Sequence, residues 1–360
     1  YPWLVKTGKG LTYFAIQTGL PINWIIKPTI YSHFCGGETI QECDPTVEKI
    51  GKYHVRSILD YSVEGKENPE DMKAALNETM QTIENAAQNP NIPFAVFKPT
   101  AFGKGSVLIK ASSGEKLIKK KKKELEAFRT RIESLAQKKK KKNIPILIDA
   151  EDHCYQNIID QVVTEMMEKY NKEKAIVFNT LQMYRWDRLD FLKEALKKAE
   201  QGNYYLGMKY VRGAYMEKER ERAKKLGYPS PIQPDKESTD RDYDAALKFS
   251  VEHIDKISIF NGTHNEKSSL YLTELMEKHN ISKSDERIYF SQLYGMSDHI
   301  SFNLANEGYN VAKYVPYGPV KNVLPYLIRR AEENTSVAGQ TNRELALIKN
   351  EIQRRKKYCD

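Results

Sequence analysis

Tyr326, Arg329, Arg330 and Glu333 occupy positions i, i+3, i+4 and i+7 of the segment Tyr326-Leu-Ile-Arg-Arg-Ala-Glu-Glu333. In a helix these four share a face. Two guanidinium groups bind a small carboxylate bidentately, and a neighbouring acid can hold the fork in place. The same spacing also suits an exposed, salt-bridged helix. What favours the anion-binding reading is a second set of polar residues, each ending or following an apolar run: Lys98, Asp149 with Glu151, Gln182, Lys209 with Arg212 and Tyr215, Thr263-His264-Asn265, Gln292 and Tyr314.

Thr263-His264-Asn265 offers several donors in a short space, enough for a pyrophosphate or ribose without a glycine-rich loop. A lone histidine also serves as a structural residue, and no second histidine or cysteine lies near it at metal-ligand spacing, so no metal is expected. Gly8-x-Gly10 and Gly103-x-Gly105 lack the third glycine and the strand-helix setting of a dinucleotide fingerprint. Neither a P-loop nor a nucleophile elbow is present, which removes support for kinase and hydrolase readings. Oxidation at a C–H next to nitrogen needs an electron sink that side chains do not supply, so a redox reading requires a cofactor that no motif names.

The elements that must position these residues alternate. Eight short apolar runs are each followed by a helical stretch: Ser57–Val63, Phe94–Thr100, Ile144–Glu151, Ala175–Gln182, Tyr205–Arg212, Ile257–Thr263, Arg287–Leu293 and Asn310–Pro316. After the first run, Asn68 is a cap, Pro69 starts the helix, and Met72, Leu76, Met80 and Ile83 lie on one face. Strands this apolar, eight in a row, predict an α/β chain folded as a closed (βα)8 barrel, whose catalytic groups gather at the carboxyl ends of the strands. Residues 1–54 precede the first run and are expected to form a helical arm, with residues 55–360 as the barrel and its C-terminal helices.

The 360 residues, 40% hydrophobic and 29% charged, contain no apolar run long enough to span a bilayer. The four cysteines, Cys35, Cys43, Cys154 and Cys359, lack metal or disulfide spacing and read as reduced thiols. Much of the net charge of +9 sits in two runs, Lys119 to Lys123 and Lys138 to Lys142. They flank a helical pattern of Leu125, Phe128, Ile132 and Leu135. Two readings stand for these runs: a solvated lysine face, or a patch for a membrane surface or another anionic partner. They lack interleaved aromatics, so a nucleic-acid partner is not expected.

Beyond these patterns, Tyr210-Val-Arg-Gly-Ala-Tyr-Met-Glu217, Gly227-Tyr-Pro-Ser-Pro231, Thr263-His-Asn265, Leu293-Tyr-Gly-Met296, Tyr314-Val-Pro-Tyr-Gly318 and Tyr326-Leu-Ile-Arg-Arg330 resemble, in that order, the proline dehydrogenase family. The resemblance runs from about Ser57 to Asn350, and Phe34-Cys-Gly-Gly-Glu38 is similar to a motif of single-function members. It implies a distorted barrel with noncovalent FAD at the strand ends and the final barrel helix lying over the site. Arg329 and Arg330, helped by Lys98, would then hold the carboxylate of L-proline. Ala214, Tyr215, Leu293, Tyr314 and Tyr326 would enclose its ring, with Asp149 orienting Tyr314. Gln182, Lys209, Val211, Gly213, Thr239, Thr263, His264, Asn265 and Glu333 would form the cofactor shell.

The implied reaction is hydride transfer from proline C5 to flavin N5, giving Δ1-pyrroline-5-carboxylate, with a membrane quinone as the final acceptor. The chain ends at Asp360, so a monofunctional enzyme is expected, without the aldehyde dehydrogenase and DNA-binding domains of bifunctional relatives. A cytoplasmic place at the periphery of the inner membrane is implied, on the matrix side of the mitochondrial inner membrane in a eukaryote. The rivals are another flavin barrel, such as one resembling methylenetetrahydrofolate reductase, and hydroxyproline as substrate. The Tyr326/Arg329/Arg330 pattern speaks against the first, and the bulk of Tyr314 against the second.

Overall fold

The computed structural model describes residues 26–62, 67–142, 144–336, 346 and 349–356, and at 138–142 and 331–336 the backbone alone. Eight strands form one parallel sheet: β1 (Val55–Tyr61), β2 (Ala95–Phe97), β3 (Ile146–Ile148), β4 (Val177–Gln182), β5 (Leu206–Val211), β6 (Ile257–Gly262), β7 (Ile288–Leu293) and β8 (Val311–Tyr317). Their order is β1-β8-β7-β6-β5-β4-β3-β2. At the remaining seam Ser57 N–H donates to Asn91 O at 2.8 Å, just ahead of β2. The result is a nearly closed TIM-like (βα)8 barrel.

The strands lie where the alternation places them, with instructive differences at their ends. β1 starts two residues earlier than Ser57 and ends at Tyr61. β2 and β3 are three residues each because proline limits them. Pro99 opens a 3-10 turn (Pro99–Phe102) after β2, and Pro145, without an N–H for the ladder, precedes β3.

The helices around the sheet bury their apolar stripes against it. α1 (Ile40–Gly51) precedes β1 and is capped by Thr39, which accepts from Glu42 N–H at 3.2 Å; it buries Ile40, Cys43, Val47 and Ile50. α2 (Pro69–Gln88) starts as its sequence dictates, with Asn68 accepting from Asp71 N–H at 2.8 Å. A short helix, α3 (Gly105–Ser112), then intervenes, too brief to show a period in the sequence. α4 (Lys119–Lys142) carries the lysine runs and buries Phe128, Ile132 and Leu135.

Next come α5 (His153–Tyr170) and α6 (Arg188–Gly202). Two helices follow β5: α7 (Met216–Leu226), closed by left-handed Gly227, and α8 (Lys236–Glu252), capped by Asp235. α9 (Glu266–Lys278) and α10 (Asp298–Asn306) complete the flank.

The last helix, α11 (Val320–Ser336), packs elsewhere. Its Val320, Val323, Leu324 and Leu327 form a separate apolar cluster with Tyr31, Phe34 and Met296. The segment before α1 is tied to the end of β8: Tyr31 Oη donates to Gly318 O at 2.8 Å and Gly36 N–H to Pro316 O at 2.9 Å. Gly295, in the β7–α10 loop, has φ +76°, and a Cβ there would lie 2.2 Å from His33 O. Chain segments from both ends of the sequence thus meet over the carboxyl ends of the strands. Cys35, Cys43 and Cys154 are free thiols, and Cys359 lies outside the described residues.

Candidate active site

Side chains alternate along a strand, so residues two apart share a barrel face. The lower inward layer is apolar, built from Ile58, Val96, Leu147, Phe178, Phe260, Tyr289 and Ala312 together with Phe94. Two residues further along each strand the layer turns polar or small: Asp60, Lys98, Asp149, Thr180, Gly262, Ser291 and Tyr314, joined by Lys209 of β5. This layer floors a cavity of about 540 Å³, within the size range of small-molecule sites.

The floor is a chain of opposite charges. Lys209 Nζ donates to Asp149 Oδ1 and to Tyr314 Oη, each at 2.6 Å, while Tyr314 Oη reaches Asp149 Oδ1 at 3.5 Å. Lys98 Nζ stands 3.0 Å from both carboxylate oxygens of Asp60 and 3.8 Å from Asp149 Oδ2. Burial alone would push the Asp60 carboxyl up, but the Lys98 ammonium outweighs it and holds the group below the usual carboxylate range. Burial opposes the charge of Lys98 too, and Asp60 and Asp149 overcome it. Tyr314 stays protonated, because burial and the nearby Asp149 and Asp60 carboxylates raise its pKa well above 10. Glu151, just beyond Asp149, accepts from Thr100 Oγ1 at 2.7 Å, and burial raises its pKa to about 7.

The walls come from loops. Gly213, Ala214 and Tyr215 follow β5, and Gly213 has φ +126° with the Tyr184 ring 2.5 Å from where a Cβ would sit, a backbone that only glycine fits here. Arg212 clamps this wall to the next. It donates to Asp240 Oδ1 at 2.7 Å, to Thr263 Oγ1 at 2.7 Å and to Ser268 Oγ at 3.0 Å. His264 bonds Ser297 Oγ through Nδ1 at 2.9 Å. Burial, reinforced by Lys313, Arg330 and His299, drops its pKa to about 3, so the imidazole is neutral.

Gln182, Val211, Asn265 and Leu293 complete the lining, and Tyr326, Arg329 and Arg330 of α11 face it from above. The Gln182 Oε1 and Tyr326 Oη atoms are buried with no hydrogen-bond partner among the described residues. Both belong to residues that line the cavity.

Nearly all the residues singled out from the sequence therefore converge on one cavity. Thr239 does not line it: its hydroxyl donates back to Asp235 O at 3.2 Å inside α8, and Lys236, one turn earlier, faces the cavity instead. The side chain of Glu333 lies outside the described residues. Asp60, Thr180, Ser291, Met296 and Lys236 line the cavity without having been singled out. Asp60 was legible: it stands two residues after the inward-facing Ile58, as Asp149 stands two after Leu147.

The family model described as proline dehydrogenase matches residues 43–343. The chain belongs to the proline dehydrogenase family. A relative from Dictyostelium discoideum, "Proline dehydrogenase 1, mitochondrial", is 34% identical over 93% of this chain and 66% of its own length. The "Carbapenem antibiotics biosynthesis protein CarD" of Pectobacterium carotovorum is 34% identical over 91% of the chain and 84% of its length. The chain spans under two fifths of the Drosophila melanogaster family member it matches, 36% of that protein, at 42% identity. Among solved structures, proline utilization A (PutA) from Bdellovibrio bacteriovorus aligns with a TM-score of 0.77 and 22% identity, over 86% of this chain and 33% of that one. This likeness concerns the barrel alone.

Proposed function

We propose that this member of the family oxidises L-proline to Δ1-pyrroline-5-carboxylate with noncovalently bound FAD and hands the electrons to a membrane quinone. The observation that carries the reading is the facing of Arg329 and Arg330 across one cavity from the Lys98–Asp149–Lys209–Tyr314 floor. A cyclic amino acid fits between a roof that takes its carboxylate and a floor that takes its polar edge.

The residues present also fit FAD. Thr263, neutral His264, Asn265 and the unsatisfied Gln182 Oε1 are neutral hydrogen-bonding groups suited to a ring system and ribose, and Lys236 supplies a cation suited to phosphate. Val211, Gly213, Thr239 and Glu333 are proposed as further members of this shell. When bound, FAD would supply the electron sink for the hydride that leaves proline C5.

What the chain's own residues do follows from their placement. Arg329 and Arg330 hold the carboxylate bidentately. Ala214, Tyr215, Leu293, Tyr314 and Tyr326 exclude water from the ring and fix which carbon faces the cofactor. Lys209, fastened by Asp149 and Tyr314, keeps its ammonium at a set place on the floor, where positive charge favours electron uptake by a neighbouring acceptor. Lys98 adds a second cation, steadied by Asp60.

In this reading residues 1–54 are an arm whose described part braces α11, and residues 55–360 are the catalytic barrel. No described helix is long and apolar enough to cross a membrane. With relatives named as mitochondrial, a place at the matrix face of the inner membrane is proposed if the source is a eukaryote, and at the cytoplasmic face otherwise.

The test is optical. Protein loaded with FAD should lose its flavin absorbance when L-proline is added without oxygen, and much less readily with hydroxyproline. A spectrum indifferent to proline would sink the proposal.

A further inference from the structure

We propose that the first turns of α4 form a docking prong for an anionic lipid surface, on the side of the barrel where the cavity opens. Lys119, Lys120, Lys122 and Lys123 are exposed, Lys121 is half-exposed, and Ile118 just ahead of them is 66% exposed. The nearby acids are occupied: Glu124 takes Lys104 at 2.8 Å and Glu115 takes Lys110 at 2.6 Å. Among the described residues none of the five lysines has a carboxylate partner within 4.0 Å.

This arrangement works against its own helix. Cations at a helix amino terminus oppose its dipole, and like charges three and four apart repel. α4 has no acid in its first turn to relieve them.

The prong also stands clear of the barrel. Phe128 is level with the carboxyl end of β2, since a Cβ on Gly103 would lie 2.8 Å from its ring. Arg131 Nη1 donates to Phe102 O at 2.9 Å in the same region. The helix then descends to β3. Lys119 precedes Phe128 by nine residues, which at 1.5 Å per residue puts it about 13 Å further along the helix, past the strand ends.

Lysines with an exposed isoleucine suit a headgroup layer with its acyl boundary, whereas a single-stranded nucleic acid calls for stacking aromatics, of which residues 113–127 contain none, and a duplex has no use for the isoleucine. The docking rests on charge and exposure alone. Its link to a lipid-soluble acceptor rests on the reaction proposed above.

The experiment is sedimentation of the full chain with vesicles of phosphatidylcholine, alone or mixed with phosphatidylserine. The chain should bind the mixed vesicles only, and release as salt is raised. Replacing four lysines (Lys119→Gln, Lys120→Gln, Lys122→Gln, Lys123→Gln) should weaken binding by about two to three orders of magnitude, each charge at such a surface contributing separately. Ile118→Ser should weaken it further. Proline-dependent reduction of a soluble dye should be unchanged in both variants, which shows that they fold. Equal binding by the parent chain and the four-lysine variant overturns the proposal, as does absence of binding to the mixed vesicles or a preference for duplex DNA over them. Because partition is measured without proline, a failed dye assay in the parent chain would count against the reaction and leave the docking result standing.

Discussion

The Lys98 ammonium stands 3.0 Å from both carboxylate oxygens of Asp60, so a half-buried ion pair joins β1 to the residue that follows β2, at the one seam of the barrel without a strand ladder. Asp60→Asn would leave Lys98 without its main counter-charge. Lys98 is 34% exposed, so water softens the loss to about 1–3 kcal/mol of stability, measured by denaturant unfolding. The Asp60 pKa is depressed by folding, so its contribution is present above the unfolded carboxyl pKa and fades as pH falls through the folded value. Combining the change with Lys98→Met should recover part of the stability, and simple additivity of the two losses would argue against the pair.

Arg330 is almost fully buried, with its guanidinium carbon 5.1 Å from the centre of the Tyr326 ring. Arg330→Met should raise KM for proline by about two orders of magnitude, the loss of a charge-assisted bidentate contact. Arg330→Lys should fall between, since a point charge replaces a fork. An unaltered KM would remove the carboxylate role.

Glu151 has its folded pKa raised to about 7 by burial, above the unfolded value of 4.5. Its contribution is therefore most favourable below about pH 4.5 and is lost as pH rises through about 7. Glu151→Gln, which keeps the acceptor for Thr100, should match the parent chain near pH 5. By pH 8 it should be more stable by roughly 1–3 kcal/mol. Melting temperatures of both proteins across this range decide it, and parallel curves would mean that Glu151 is charged throughout.

Tyr31 braces the start of α11 through Gly318. Tyr31→Phe removes the donor without opening a cavity and strands a buried carbonyl, a cost of about 1–2 kcal/mol. Because α11 carries Arg329 and Arg330, KM for proline should rise several-fold while the barrel's secondary structure is retained. A stability loss with KM untouched would show that the strut does not act on the site.

The barrel was legible because its strands are buried on both faces and so read as continuous apolar runs ended by polar residues. The site was legible for the same reason: Lys98, Asp149, Lys209 and Tyr314 interrupt those runs. Asp60 escaped notice because the first run, taken to Val63 where the strand ends at Tyr61, placed it mid-strand. Thr239 was assigned to the cofactor shell by family resemblance alone; its hydroxyl donates to Asp235 O within α8, while Lys236, one turn earlier on the same helix, lines the cavity.

The amphipathic face of α11 looks the same in sequence whether it packs on the barrel flank or above its mouth. Only contacts with Tyr31, Phe34 and Met296, far apart in the chain, select the second position. Likewise Lys209 and Tyr314, 105 residues apart, meet because the sheet closes, and no spacing encodes that distance. By itself the sequence determined which residues face inward and which helix face can take an anion, since both follow from local periods of two and 3.6 residues. The tertiary structure decided which of those residues touch, because closure of the barrel and the placement of its last helix depend on contacts between distant segments.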